Sequence, residues 1–222
     1  MNKIRSIGKE MIKIVGKKII SGDLNLTRIS FPIKAMVPRT ALVNSTISCC
    51  MNPYFMKRAV EAKDPLERLK YVITNTISAF YYISMFVKPV THSHMQLNPV
   101  IGETLQASFS DGTQVYCEQV SHHPPISYFL AVGPEGSYRY YGCYNFSAHA
   151  GLNSMELVNK GHKVYEFTNG DKIEVTFNKE IYSGVFMGSL RSEATEAIVF
   201  VDKKNDLRAE IAFGKVKKRY RL

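Results

Sequence analysis

Tryptophan is absent from this chain, which removes one common anchor at a membrane interface, while thirteen tyrosines and twelve phenylalanines leave an aromatic supply that leans toward β structure. Cysteine is scarce. Cys49, Cys50, Cys117 and Cys143 follow no metal-type spacing, and an adjacent Cys49-Cys50 pair fits disulfide geometry poorly, so the pattern suits a reducing compartment. No uninterrupted apolar run opens the chain. Lysines are spread through MNKIRSIGKEMIK, which excludes a secretory signal there. A charge-free stretch between Lys70 and Lys88 is diluted by Thr74, Asn75, Thr76, Ser78 and Ser84, so it reads as a buried helix rather than a membrane span. Internal repeats, low-complexity tracts and obvious linkers are missing as well. One domain over residues 1–222 is expected, and 45% hydrophobic content is ordinary for a packed core.

Acidic residues are thin at both ends. Residues 1–40 hold nine basic and two acidic side chains, and residues 203–222 hold eight and two. The body between them carries twelve basic against fifteen acidic, so a chain of net charge +10 has a slightly acidic middle. Such ends suit an anionic surface, either a membrane leaflet or nucleic acid, or serve solubility alone. Nucleic acid is not expected as a partner, because no reader motif accompanies the charge.

Apolar residues Ile4, Ile7, Met11, Ile14, Val15 and Ile19 recur at helical spacing among lysines, predicting a basic amphipathic helix over residues 3–20. Gly8 and Gly16 each cost that helix about 1 kcal/mol relative to alanine. It can lie on a membrane, close over a cavity, or pack on its own domain. Ser21-Gly22-Asp23 breaks it, and Leu24 to Ile29 alternates before Pro32 and Pro38. Residues 41–88 read as helical, with Asp64 as N-cap and Pro65 at the first helical position of one helix. After Pro99 come short aromatic and β-branched runs, among them Gln114 to Val120, Tyr138 to Phe146, Lys172 to Phe177 and Leu207 to Phe213. Turn residues such as Asp111-Gly112 and Asn169-Gly170-Asp171 divide them, which predicts an antiparallel sheet curled toward a barrel.

One segment is unusual: Glu118-Gln119-Val120-Ser121-His122-His123-Pro124-Pro125, or EQVSHHPP. The prolines remove two backbone donors and fix φ directly after the histidines, so the imidazoles are presented at a defined place. Imidazoles can donate to a phosphate or accept from a hydroxyl. The pair also reads as a structural turn, or, with His92 and His94, as nitrogen ligands for a metal. Carboxylate or cysteine partners at ligand spacing are missing, and no G-x-S-x-G elbow or helical H-E-x-x-H is present, so neither a metal, a cofactor nor an enzyme activity is expected.

EQVSHHPP resembles the fingerprint of the oxysterol-binding-protein family. The resemblance extends through SGDLNLTRISFP, Lys63 to Leu69, the Asn-Pro signature Leu97-Asn98-Pro99-Val100-Ile101-Gly102-Glu103-Thr104, Ile181 to Gly184 and the run to Gly214. It implies a mainly β (α+β) fold, an incomplete antiparallel β-barrel over residues 97–214 around a lipid tunnel. Residues 41–88 form the helical segment before the barrel. Residues 1–22 form a lid whose Ile4, Ile7, Met11, Ile14 and Val15, with Leu24 and Leu26, face the lipid. Phe80, Tyr81 and Tyr82 approach the tunnel. The implied activity is binding a sterol or phospholipid and exchanging it for a phosphoinositide, phosphatidylinositol 4-phosphate, between membranes. His122, His123 and Asn98 bind the headgroup. A lipid-regulated sensor that recruits a partner is the alternative. A monomer in the cytoplasm, peripheral to anionic membranes, is implied.

Two features depart from the family pattern. Met95 and Gln96 stand where a Lys-Pro pair is usual, and Lys88-Pro89 lies seven residues earlier; if THSHMQ is an insertion, Lys88 keeps the phosphate role. The chain also stops soon after Gly214, so two expectations stand: Lys215, Lys217, Lys218, Arg219 and Arg221 substitute electrostatically for the family's further basic ligands, or this is a shortened member with a more open tunnel.

Overall fold

A computed structural model describes Gly16 and residues 36–84, 95–184 and 191–214. Apart from Gly16, which is helical, the expected lid lies outside the described residues. So do Leu24, Leu26, Lys88, His92, His94 and the basic residues from Lys215 onward.

The segment expected to be helical forms three helices: α1 (Leu42–Ile47), α2 (Asn52–Glu61) and α3 (Pro65–Tyr82), the last of which takes in most of the charge-free stretch after Lys70. Local signals set the start of α3. The Leu66 N–H donates to the Asp64 carboxylate at 3.2 Å, and Pro65 occupies the first turn, where its missing N–H costs nothing. The helix buries Arg68, Leu69, Val72, Asn75, Thr76 and Ala79, a stripe at spacings of three and four. Of the polar residues that dilute the stretch, Asn75 and Thr76 therefore face inward, while Thr74 is exposed. Asn75 Nδ2 donates to Asn52 Oδ1 at 3.0 Å and to Tyr165 Oη at 3.1 Å, so the buried amide has partners on α2 and on the sheet. No helix among the described residues is long and apolar enough to cross a membrane.

A small parallel pair joins β1 (Met36–Thr40) to β2 (Met95–Leu97). Gln96, at the departure from the family pattern, is tied to Asn44 of α1 through reciprocal amide bonds of 2.6 and 2.5 Å.

Among the described residues the main sheet has eleven strands: β3 (Thr104–Ser108), β4 (Gln114–Ser121), β5 (Ile126–Val132), β6 (Tyr138–Ala150), β7 (Ser154–Asn159), β8 (Lys163–Phe167), β9 (Lys172–Val175), β10 (Lys179–Ser183), β11 (Arg191–Thr195), β12 (Ala197–Asp202) and β13 (Leu207–Ala212). Every pairing in it is antiparallel. β6, thirteen residues long, is the branch point: residues 139–145 pair with β5, 138–142 with β8 and 146–150 with β7. Gly142 lies under the connection between β7 and β8, where a Cβ would sit 2.1 Å from the His162 carbonyl oxygen. Pairing runs from β3 to β13, and among the described residues none joins those two edges. The result is the expected mainly β, antiparallel and unclosed architecture.

Burial alternates along β4, with Val115, Cys117 and Gln119 inside and Gln114, Tyr116 and Glu118 outside. The inner faces of β4, β5, β6, β8 and β12 pack with α1, α2 and α3 into one core that includes Leu42, Met56, Leu69, Val72, Phe129 and Phe200. Each such apolar side chain stabilises by roughly 1.5–3 kcal/mol on burial. Tyr140 and Tyr165 stack at 4.1 Å in its centre.

Candidate functional site

β4 and β5 are consecutive antiparallel strands, so the chain must reverse between Ser121 and Ile126, and it does so through His122-His123-Pro124-Pro125. Both histidines are exposed, with ring centroids 4.6 Å apart and planes at 63°, and the His123-Pro124 peptide is cis. Two imidazoles thus project from one rigid reversal, each with a ring nitrogen available to a phosphate oxygen.

The reversal is held from below. Gln119 is fully buried, its Nε2 donates to the Ser121 carbonyl at 2.6 Å, and its Oε1 accepts from the Ser127 hydroxyl. Asn98 is exposed in the loop before β3, and backbone bonds lace that loop to the same end of β4. Gly102 N–H donates to the Gln119 carbonyl at 2.8 Å, and Gln119 N–H donates to the Glu103 carbonyl at 3.0 Å. Gly102 adopts φ +75, which favours glycine at that turn. The structure therefore brings the loop of Asn98 alongside the histidine reversal. Gln119 was not singled out from the sequence. Its position in the inward series Val115, Cys117, Gln119 is the signal that could have found it. Gln119→Leu, which keeps the volume but leaves the Ser121 carbonyl and Ser127 hydroxyl without their partner, is expected to cost about 1–3 kcal/mol. Urea unfolding measures this, and a loss below about 0.5 kcal/mol would show that the reversal stands without the amide.

Phe80, Tyr81 and Tyr82 end α3. Phe80 is half-buried with its ring 5.4 Å from that of Phe213, while Tyr81 and Tyr82 are 58% and 37% exposed.

Inside the sheet, Tyr144 lies 5.2 Å from Phe129 and 5.5 Å from Phe177, and its hydroxyl donates to Ser48 at 3.0 Å. Lys163 shares this interior, with its ammonium 4.4 Å from the centre of the Phe177 ring. Burial lowers that ammonium from its usual 10.5 to about 8. Burial pushes the Cys117 thiol up to about 12 and Cys49 also upward, so both stay protonated and unreactive at neutral pH. No three His, Cys, Asp or Glu side chains gather to hold a metal among the described residues. A groove of about 480 Å³ lies on the outer sheet face, lined by Tyr116, Tyr128, Leu130 and Tyr141 with Glu118, Arg139 and Glu166. It opens away from the interior, so it is not the expected tunnel.

The oxysterol-binding protein family model matches residues 10–221. The chain belongs to that family. It is 33% identical over 214 residues to Oxysterol-binding protein 9 of Dictyostelium discoideum, covering 96% of this chain and 48% of that protein. It is 24% identical over 202 residues to human oxysterol-binding protein-related protein 5, covering 88% and 22%. Among solved structures, the Osh3 ORD of Saccharomyces cerevisiae in complex with PI(4)P is similar with a TM-score of 0.78 at 22% identity, covering 93% of this chain and 52% of that one. The Osh1 ORD domain in complex with ergosterol has a TM-score of 0.68 at 21% identity, over 80% and 42%. These structures share the fold. The chain spans about half the length of the Dictyostelium relative and of the solved domains.

Proposed function

We propose that this family member binds one lipid molecule, a sterol or phospholipid, and exchanges it for phosphatidylinositol 4-phosphate between membranes, acting as a monomer peripheral to the bilayer. The observation that carries the reading is the paired exposed imidazoles on a proline-stiffened reversal, braced by a buried amide and flanked by the loop of Asn98. His122, His123 and Asn98 take the headgroup phosphate, and Lys88 joins them. Hydrogen bonds to an anionic phosphate are charge-assisted and stronger than neutral ones. Val100 and Ile101, 65% and 69% exposed in the same loop, give this end an apolar surface suited to a bilayer. Residues 1–22 act as the lid, and lipid loading drives closure by rewarding the closed state.

The double substitution His122→Ala with His123→Ala tests the headgroup assignment. Extraction of phosphatidylinositol 4-phosphate from liposomes should fall at least tenfold, and much further than extraction of sterol, because imidazoles serve the phosphate and contribute little to an apolar ligand. Equal losses of both lipids in a folded double variant would remove the histidines from the headgroup site. Vesicle-to-vesicle movement at catalytic protein concentration separates a carrier from a lipid-regulated sensor, which binds without transferring.

A further inference from the structure

Lys163 is the least expected residue in the interior. It opens β8, where burial alternates so that Lys163, Tyr165 and Phe167 face inward, and its side chain is 8% exposed. An ammonium carries three donors and no acceptor. Among the described residues it makes no hydrogen bond and no ion pair, and its described contact is the face of Phe177 at 4.4 Å. A cation over an aromatic ring recovers less than burying the charge costs. Among the described residues, this strong donor therefore sits in an aromatic interior without a hydrogen-bond or ion-pair partner.

Its place along the sheet is informative. Tyr165 is bonded to Asn75, and Arg68 lies over Phe167, so the two inward residues that follow Lys163 rest on the helices. Lys163 lies one step further toward the end that carries the histidines: it pairs with Gly142 of β6, whereas Ile126, the first residue after the reversal, pairs with Asn145. Three residues of strand separate those levels, on the order of 10 Å. That separation is comparable to the span from an inositol-ring phosphate to the glycerol esters of the same lipid.

We propose that Lys163 is an interior anchor for the glycerol-ester and phosphodiester oxygens of a diacyl phospholipid, and that it biases this chain toward phospholipid and against sterol. The assignment rests on the lipid-binding reading above. A phospholipid held at the histidines presents several acceptors at the depth of Lys163. A sterol presents one hydroxyl, which satisfies at most one N–H and surrounds the remaining donors with hydrocarbon.

The test uses the full chain and liposomes containing phosphatidylcholine, phosphatidylinositol 4-phosphate and cholesterol, with bound lipid measured after re-isolation of the protein. Lys163→Met, similar in size and uncharged, should shift the ratio of captured phospholipid to cholesterol at least tenfold toward cholesterol, the size of one lost charge-assisted bond. Lys163→Arg should keep the parental preference. A folded Lys163→Met protein with a ratio within twofold of the parent, or one that loses both lipids in parallel, overturns the anchor. Should the methionine variant fail to fold, Lys163→Leu, which also carries no donor, makes the same comparison under the same twofold limit. A parent chain that captures neither lipid defeats the lipid-binding reading, whereas normal parental capture with an unmoved ratio defeats Lys163 alone.

Discussion

Asp171→Ala is expected to lower stability by about 3–5 kcal/mol, because it leaves the buried Arg68 guanidinium without its counter-charge. Arg68 and Asp171 are 5% and 2% exposed. Arg68 on α3 donates to the Asp171 carboxylate and, from Nε, to the Ala59 carbonyl at 3.1 Å, while its guanidinium lies 5.3 Å from the centre of the Phe167 ring. Asp171 also accepts from Lys204 Nζ at 2.8 Å and Asn169 Nδ2 at 3.0 Å. One carboxylate therefore joins the helices, the turn between β8 and β9, and the turn between β12 and β13. Burial pushes its carboxyl up, but the bonds from Lys204 and Asn169 and the charge of Arg68 outweigh that, so it ends below its ordinary value. A lowered folded pKa contributes stability that is present above the ordinary aspartate range near about 3.9 and is lost as pH falls through the folded value. Urea unfolding at pH 7 and along an acid series measures both effects. A loss below about 1 kcal/mol would show that the carboxylate does not hold the helices to the sheet.

Lys163→Met should have the opposite sign. Moving the ammonium from 10.5 to about 8 corresponds to on the order of 3 kcal/mol of destabilisation at neutral pH, which an uncharged side chain of similar size removes. Because the folded value is lowered, the unfolded chain binds more protons between about pH 8 and 10.5, and the stability of the parent rises through that window. Near pH 10 unfolded tyrosines begin to ionise while burial holds Tyr140, Tyr144 and Tyr165 protonated, which pulls stability down again. The rise is therefore read between pH 8 and 10. Thermal unfolding at pH 7, 8, 9 and 10 should show it in the parent and not in the methionine variant. Identical pH slopes in the two proteins would place the ammonium in water rather than in the core. A variant that gains stability while losing phospholipid would mark Lys163 as a residue kept for binding at the expense of the fold.

Much of the architecture was legible residue by residue because the signals act locally. Asp64-Pro65 started α3 where a capping carboxylate and a ring without N–H must start one. Asp111-Gly112 turned β3 into β4, with Gly112 at φ +94 and the Thr113 N–H on the Asp111 carboxylate at 3.0 Å. The histidine reversal was legible because two prolines in succession stiffen any chain. Its brace was not, since Gln119 matters only once Ser121 and Ser127 sit on facing strands.

From residues alone came the order of helices then strands, the antiparallel class, the family and the position of the imidazoles, all consequences of spacings within about ten residues or of a string too particular to arise readily by chance. Tertiary structure decided what depends on partners far apart in the chain. It set the branching of β6, whose second half continues past β8 onto β7, and the parallel pairing of β1 with β2 across fifty-odd residues. It placed the Arg68–Asp171 bridge, whose partners lie 103 residues apart. It also turned Lys163 inward, because strand alternation assigns a face to each residue only once the register is known, and a lysine read by itself belongs on the surface.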